Sequence, residues 1–229
     1  MSEIKQALGG LSRQQELGAT RDHPHYISLS LIGNWLREIA LQEAHGVMLD
    51  YGCGGQPYKN FFMPKLVRYI GADVAAAQGI ELDVEIMPGQ PLPLADASID
   101  TLLSTQTLEH VEDVYFYIGE CSRLIRSGGI LILTAPMQWR HHEVPYDYWR
   151  FTRYGLIALL EQRGFVIKSM SPCGGVYALL GQIFLSHLHE RGVRKPWINS
   201  LVNGVAFFLD ARKPDTEDTL NWMCIAIRN

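Results

Sequence analysis

Apolar residues along this chain follow two spacings. From Ile27 to Ala44 they recur every three or four residues, which predicts an amphipathic helix that Gly46 ends. Beyond Gly46 they form short continuous runs, as in parallel strands that are buried on both faces. These runs predict strands at 47–51, 67–73, 80–84, 99–105, 130–136, 165–171 and 221–227.

Helical segments separate most of these strands. The pattern predicts a short helix over 58–62 that Pro64 cuts off, a helix over 114–125 that the Gly128-Gly129 pair stops, and a helix from Thr152 to Arg163 with Thr152 as its N-cap. Strands alternating with helices predict an α/β fold. We expect a Rossmann-like doubly wound sheet, mostly parallel with an antiparallel last strand, and a helical insert before that strand.

The length of 229 residues suits one domain with a single large core. We divide it into an N-terminal arm and helix (1–46), a core (47–172), the insert (173–220) and the last strand (221–229). The first 26 residues carry few apolar positions and are expected to be loosely ordered or laid over the domain. The insert is rich in apolar residues and predicts two helices broken at Lys195-Pro196; we interpret it as a lid, a homodimer surface or extra core.

Composition narrows the functional classes. A formal net charge of −4 gives no general attraction to nucleic acid or anionic lipid, so neither is an expected partner. The four cysteines lie far apart without paired spacing, which favours reduced thiols in a cytoplasmic protein over a disulfide framework or structural zinc. The polar N-terminus lacks the apolar run of a secretory signal, and no apolar run has the ~20 residues that a membrane span needs.

The stretch VMLDYGCGGQPY, residues 47–58, is an apolar strand that enters a glycine-rich turn. Such a turn brings backbone N–H groups close to an anionic ligand. A dinucleotide fingerprint starting at Gly52 would need its third glycine at residue 57, which is Pro57, so NAD is disfavoured. Asp50, Gly52 and Gly54 instead resemble the first motif of class I S-adenosylmethionine-dependent methyltransferases, of the small-molecule type 11 kind.

Three further segments carry the same resemblance in the same order. The phrase YIGAD ends the second strand in Asp73, PLPLADASIDTLLSTQTLEHVED contains Asp96, and RLIRSGGILILTAP enters the fifth strand. Gln56 departs from the family pattern, which has a glycine there, and puts the local path of the loop in question.

The resemblance implies S-adenosyl-L-methionine as the cofactor. It implies that Asp73 accepts both ribose hydroxyls and that Asp96 lies near the adenine amino group. The residues that we expect to bind the cofactor are Asp50, Gly52, Cys53, Gly54, Asp73, Asp96 and Thr105.

Candidate catalytic residues are His110, just beyond the fourth strand, and His142. Methyl transfer mainly requires alignment, and sometimes removal of a proton, which an imidazole can accept; His110 can equally be a residue that shapes the pocket. His23 and His25 precede the first helix and either fold over the cofactor or are solvated.

The loop after the fifth strand, residues 137–152, concentrates aromatic and charged side chains where such sheets build pockets. Its candidate substrate-binding residues are Trp139, His141, Tyr146, Tyr148 and Arg150. The structural alternative is that Tyr148, Trp149 and Phe151 pack the loop onto the core while Asp147 pairs with Arg150. The consecutive residues His141, His142 and Glu143 point in different directions, so we expect no metal there.

These observations favour an enzyme, a methyltransferase that modifies oxygen or nitrogen of a small-molecule acceptor. One alternative keeps the cofactor but has a protein or nucleic acid as acceptor. The other is a non-catalytic S-adenosylmethionine-binding or scaffold protein of the same fold.

Overall fold

A computed structural model describes residues 17–77 and 79–229. Within these residues the strands are β1 (Gly46–Tyr51), β2 (Leu66–Asp73), β3 (Val84–Glu85), β4 (Ile99–Thr105), β5 (Ile125–Pro136), β6 (Phe165–Pro172) and β7 (Asn221–Arg228). The helices are α1 (Tyr26–Gln42), α2 (Lys59–Phe62), α3 (Val114–Leu124), α4 (Arg153–Glu161), α5 (Val176–Glu190) and α6 (Pro196–Arg212). Short 3₁₀ turns cover Met63–Lys65 and Leu108–His110. The expectation for the N-terminal arm concerns mainly residues 1–16, which lie outside the described part.

The strands form one sheet in the order β3-β2-β1-β4-β5-β7-β6. The pairs from β3 to β5 are parallel, and β7 runs antiparallel to both β5 and β6. The predicted Rossmann-like sheet with an antiparallel last strand is therefore confirmed. Because β1, β2, β4 and β5 are parallel, their carboxyl ends meet at one edge, where such sheets bind ligands.

Alternation along the strands sends neighbouring side chains to opposite faces of the sheet. Leu49 and Leu102 join a core under α3 and α4, while Met48 and Leu103 join a second core under α1 and α2. Burial of both faces explains the continuous apolar runs in the sequence.

The Gly128-Gly129 pair does not stop the preceding helix, contrary to our expectation. That helix ends at Leu124, and β5 begins at Ile125, so both glycines lie inside the strand. A Cβ on Gly129 would lie 2.6 Å from Ile125 Cγ2 and 2.9 Å from the carbonyl oxygen of Arg126, so local crowding within β5 favours glycine there. The predicted cap of α4 is confirmed, since Thr152 Oγ1 accepts a hydrogen bond of 3.1 Å from Gly155 N–H.

The insert forms the helix pair α5 and α6, as predicted, and contributes to a small third core with Ile27, Ala178, Leu179, Ala206 and Leu220. The buried side of α6 is partly polar: Asn203 Nδ2 donates to the carbonyl oxygens of Arg21 (2.6 Å) and His23 (3.1 Å). Asn199 Nδ2 donates to the carbonyl of Asp22 at 2.7 Å. These asparagines hold residues 21–23 against the insert. Among the described residues, no helix is both long and apolar enough to cross a membrane.

Candidate active site

The turn after β1 depends on left-handed backbone. Gly52 has φ +88°, and a Cβ there would lie 2.3 Å from Thr107 Oγ1. The N–H groups of Gly52 and Cys53 both donate to the carbonyl of Ala72, at 2.8 and 3.0 Å. Glycine is thus required at residue 52 both by its φ and by the neighbouring turn.

Gln56 adopts φ +53°, the left-handed conformation that glycine reaches at no steric cost. Its buried side chain is held at both ends: Nε2 donates to the carbonyl of Glu81 (3.3 Å), and Oε1 accepts from Lys59 Nζ (3.0 Å). The loop therefore has a glycine-type backbone at this position without a glycine.

Two carboxylates support the turn in different ways. Asp73 Oδ2 accepts from Gly54 N–H and Oδ1 accepts from Val74 N–H, both at 2.7 Å. A carboxylate has about four acceptor positions, so Asp73 can also accept from a vicinal diol. Asp50 is buried and accepts from the Tyr69 hydroxyl at 2.6 Å; burial and the Asp50 charge raise the pKa of Tyr69 well above its usual value. Asp50 therefore supports the strand that leads into the turn and lies outside the ligand-facing surface.

A cavity of about 530 Å³ lies at the carboxyl ends of β1, β2 and β4. This volume is in the range of small-molecule sites. One wall contains Gly52, Gly54 and Asp73. Beside them, Val74, Ile86 and Met87 form an apolar surface suited to a flat heteroaromatic ring.

Several residues of this wall were missed in the sequence. Thr107 and the segment from Ile86 to Gln90 line the cavity, although no sequence motif marked them as site residues. The only available signal was a pair of apolar residues after the short strand β3. The position of Ile86 and Met87 depends on the path of the loop after β3 over the carboxyl ends of the strands.

Four predicted cofactor residues do not line this cavity: Asp50, Cys53, Asp96 and Thr105. Cys53 and Thr105 are buried, and burial raises the pKa of the Cys53 thiol well above its usual value. The carboxylate of Asp96 is exposed and pairs with Arg123 Nη1 at 2.6 Å. Arg123 also donates to the carbonyls of Leu92 and Leu94, so this pair fixes the surface loop before β4.

The opposite wall contains His110, Glu143, Tyr146 and Tyr148. His110 Nδ1 lies 2.7 Å from the carbonyl of Tyr146, which makes Nδ1 the donor in the neutral ring and leaves the lone pair on Nε2. That Nε2 lies 3.5 Å from Glu143 Oε2. His142 meets His110 edge-on, with ring centroids 4.7 Å apart. The structure thus brings both candidate catalytic histidines together, with His110 in the lining of the cavity and His142 behind it.

Burial lowers the pKa of His142, and the neighbouring His110 lowers it further, while Asp147 acts in the opposite direction. The neutral imidazole is therefore favoured at neutral pH, and it can accept a hydrogen bond or coordinate an ion.

The loop from 137 to 152 is fastened to the turn that carries His110. The N–H groups of Tyr148 and Trp149 donate to the carbonyl of Glu109, at 2.9 and 3.2 Å, and Trp149 Nε1 donates to the carbonyl of Val111 at 2.8 Å. These bonds place Tyr146 and Tyr148 at the cavity.

The predicted pair between Asp147 and Arg150 is present, with contacts of 2.6 and 2.9 Å. Burial alone would raise the pKa of Asp147, but hydrogen bonds from Arg150 and from His142 N–H outweigh it and lower that pKa well below its usual range. Phe151 is buried as the packing interpretation required, whereas Tyr148 and Trp149 remain exposed.

Three predicted substrate residues, Trp139, His141 and Arg150, do not line the main cavity. Arg150 Nε donates to the carbonyl of Trp139 and so connects the two ends of the loop. The His141 side chain is 90% exposed. Trp139 instead lines a smaller cavity of about 280 Å³ beside α5, and its ring lies 5.7 Å from that of His25.

The fold and the cavity define an α/β protein with a nucleotide-type cleft. A family model described as a methyltransferase domain matches residues 49–133. A "Probable S-adenosylmethionine-dependent methyltransferase" of Mycolicibacterium smegmatis is 27% identical over 208 residues, which cover 79% of this chain and 81% of that protein.

A ubiquinone biosynthesis O-methyltransferase of Sinorhizobium fredii is 29% identical over 99 residues, covering 38% of this chain and 40% of that protein. The solved geranyl diphosphate C-methyltransferase of Streptomyces coelicolor A3(2), in complex with Mg²⁺, geranyl diphosphate and S-adenosyl-L-homocysteine, is 13% identical. It superposes with a TM-score of 0.61 over all of this chain and 97% of its own.

The match of residues 49–133 to a methyltransferase domain and the likeness to the Mycolicibacterium relative support a class I S-adenosylmethionine-dependent methyltransferase. The chain is an enzyme, and S-adenosylmethionine is its cofactor. The residues of the cavity fit that cofactor: the turn at Gly52 and Gly54 admits a close ligand, Asp73 offers carboxylate oxygens, and Ile86 and Met87 offer an apolar surface.

Proposed function

We propose that this methyltransferase modifies oxygen or nitrogen of a small-molecule acceptor, and that residues 1–229 act as one methyltransferase domain. The observation that carries the proposal is the shared cavity, in which Asp73 and the glycine turn form one wall and His110, Glu143, Tyr146 and Tyr148 form the other.

When bound, S-adenosylmethionine supplies a methyl group whose bond to sulfur breaks as the bond to the acceptor forms, with the electron pair left on sulfur. The chain's own residues hold the reactants in line. Asp73 would accept hydrogen bonds from the ribose hydroxyls, and Gly52 and Gly54 would leave space for the ligand. His110 lines the cavity and holds the acceptor or takes its proton, while His142 lies outside the lining and packs edge-on against His110.

The charges of the cavity bear on the kind of acceptor. Asp73, Glu112, Asp113 and Glu143 all line it, so a polyanion such as nucleic acid would meet like charge. A volume of about 530 Å³ is shared between cofactor and acceptor, which favours an acceptor of small size over a folded protein.

The Sinorhizobium relative, a ubiquinone biosynthesis O-methyltransferase that matches over 40% of its length, supports oxygen as the acceptor atom.

The proposal is tested with a panel of small phenols, alcohols and amines and the isotopically labelled cofactor, with transfer RNA and a protein lysate as competing acceptors. Calorimetry with S-adenosylmethionine, S-adenosylhomocysteine and NAD accompanies it. We expect binding of both sulfur compounds and labelling of a small molecule. Labelling of RNA or protein alone would overturn the acceptor class, and cofactor binding without labelling of any acceptor would favour the scaffold alternative.

Two adjacent aromatic residues give a matched comparison. Tyr148 and Trp149 are 42% and 41% exposed, but only Tyr148 lines the cavity. Tyr148→Ala should raise KM for the acceptor, whereas Trp149→Phe, which keeps an aromatic ring but loses the Nε1 hydrogen bond to Val111, should raise KM less. Equal effects of the two variants would indicate a general disturbance of the loop.

We also propose a homodimer formed by the insert. Helices α5 and α6 expose seven large apolar side chains: Leu180, Ile183, Phe184, Trp197, Leu201, Val205 and Phe208. None of the described residues of α5 or α6 lines the main cavity, which favours the dimer surface over the lid. Light scattering of wild type and of Phe208→Glu tests this, and a monomeric wild type would refute it.

We further propose a cytoplasmic location, supported by four cysteines that are all free and buried.

A further inference from the structure

Three potential ligand residues from distant segments meet beside the acceptor wall. Glu109 and His110 lie on the turn after β4, and His142 lies on the loop after β5. One donor atom from each lies within 4.8 Å of the other two. The expectation of no metal considered only the consecutive residues 141–143, whereas the fold places His142 next to a carboxylate and an imidazole from another segment.

Backbone contacts hold the two imidazoles in orientations typical of metal ligands. His110 Nδ1 lies 2.7 Å from the carbonyl of Tyr146, and His142 Nδ1 lies 3.2 Å from the carbonyl of Arg140. A ligating histidine commonly donates one ring N–H to a carbonyl, which fixes the tautomer and turns the other nitrogen to the ion. In both neutral rings the lone pair is then on Nε2.

The surroundings of His110 Nε2 also favour an ion. This atom is buried and makes no hydrogen bond within the described part of the chain. It lies 3.9 Å from Glu109 Oε1 and 3.5 Å from Glu143 Oε2, both longer than an ordinary charge-assisted bond. In a tetrahedral site with bonds of 2.0–2.1 Å, neighbouring ligand atoms are separated by about 3.4 Å. The separations of the two carboxylates from His110 Nε2 are close to this value.

We propose that Glu109, His110 and His142 bind a divalent transition-metal ion such as Zn²⁺. Two imidazoles with a carboxylate suit Zn²⁺, Mn²⁺ or Fe²⁺ better than Mg²⁺, which prefers oxygen ligands. Glu143 lies on the cavity side of these three residues, 3.5 Å from His110 Nε2.

The position of the ion indicates a class of acceptor, and this step rests on the proposed function. His110 and Glu143 line the cavity, so an open coordination position would face the acceptor. A bound divalent ion holds an oxygen atom and makes its proton easier to lose to water. The acceptor would then be a compound with an acidic hydroxyl, such as a phenol, and the histidines would act as ligands rather than as bases.

The test uses full-length protein without a histidine tag, stripped with a chelator, and calorimetry with Zn²⁺. We expect one Zn²⁺ per chain, and visible absorption bands of Co²⁺ bound at nitrogen ligands. His142→Ala should weaken Zn²⁺ binding at least tenfold. His141→Ala is the matched control, since it changes the adjacent, exposed histidine and should leave Zn²⁺ affinity unchanged.

Glu109→Gln provides a second variant in case His142→Ala does not fold, with folding checked by circular dichroism. Absence of Zn²⁺ binding to the wild type, or equal affinity of His142→Ala and His141→Ala, would overturn the site. Binding of S-adenosylhomocysteine is measured on the metal-free protein. If the protein binds S-adenosylhomocysteine but does not bind Zn²⁺, the proposed methyltransferase function stands and only the metal site fails.

Discussion

At the scale of single residues, Gln56 combines a backbone conformation suited to glycine with a side chain that glycine cannot provide. Its left-handed φ carries a steric cost of roughly 1–2 kcal/mol, while its buried amide makes contacts to Glu81 and Lys59. The free energy of the hydrogen bonds that this side-chain amide makes is large enough to offset the steric cost.

Substitution of Gln56 separates the two effects. Gln56→Ala loses the amide contacts and keeps the strained φ, so it should destabilise the fold by about 1–3 kcal/mol. Gln56→Gly loses the same contacts but relieves the strain, and should be about 1 kcal/mol more stable than Gln56→Ala. Urea denaturation measures both, and an alanine variant as stable as the glycine variant would contradict the role of φ.

Asp73 is the residue on which cofactor affinity should depend most directly. Asp73→Ala removes a charged acceptor, and we expect affinity for S-adenosylhomocysteine to fall by about 1.5–3 kcal/mol. Calorimetry measures this change. Asp96→Ala is the informative companion, because Asp96 pairs with Arg123 away from the cavity and should affect affinity little. Similar losses in both variants would mean that the loop before β4 also contacts the cofactor.

At the scale of elements, α6 has an unusual distribution of side chains. Asn203 is fully buried, whereas Leu201 is 59% exposed on the same helix. The asparagines donate hydrogen bonds to the carbonyls of residues 21–23 and so hold this segment against α6.

The free energy of unfolding should therefore depend more on a buried polar residue of α6 than on an exposed apolar residue of the same helix. Asn203→Ala removes the donors to Arg21 and His23 and should lower the free energy of unfolding by about 1–3 kcal/mol. Leu201→Gln changes an exposed site and should stay within about 0.5 kcal/mol of wild type. Chemical denaturation compares them; a larger loss for Leu201→Gln would indicate that this face is covered by a partner.

The elements were predicted well where a single physical rule decides them. Continuous apolar runs located β1, β4 and β7 because both faces of the sheet are covered, and Thr152 marked the start of α4. Prediction failed at Gly128-Gly129, because a glycine pair inside a strand looks the same in the sequence as a glycine pair that ends a helix. The candidate site was predicted only at the strand ends: the wall at Ile86 and Met87 and the approach of His142 to Glu109 depend on tertiary loop paths that no local pattern encodes.

At the scale of the whole molecule, His25 couples the N-terminal segment to the insert. Burial is the main cause that lowers the pKa of His25 to about 4. The neighbouring His23, His189 and Arg140 also lower this pKa, whereas Glu190 raises it. His25 Nδ1 lies 3.2 Å from Gln182 Nε2, an amide donor, so the neutral ring accepts there and a proton on Nδ1 would oppose that donor.

Folding stability should consequently depend on pH in the acid range. Between about 6.5 and 4 the unfolded chain binds a proton at His25 that the folded chain does not, so stability falls as pH is lowered through this window. The limit of the effect is about 3 kcal/mol at and below pH 4. Thermal denaturation from pH 8 to 4 should show it, with His25→Asn giving a flatter profile; equal slopes would exclude His25 as the cause.

The hydrogen bonds from Tyr148 and Trp149 to the single carbonyl of Glu109 have a consequence for motion. These two amides can exchange their hydrogens with solvent only when the loop separates from the turn that carries His110. Deuterium uptake there thus reports the opening of the acceptor wall. S-adenosylhomocysteine should slow the uptake at Tyr148 and Trp149 if the two walls close together, and should leave it unchanged if each wall opens independently.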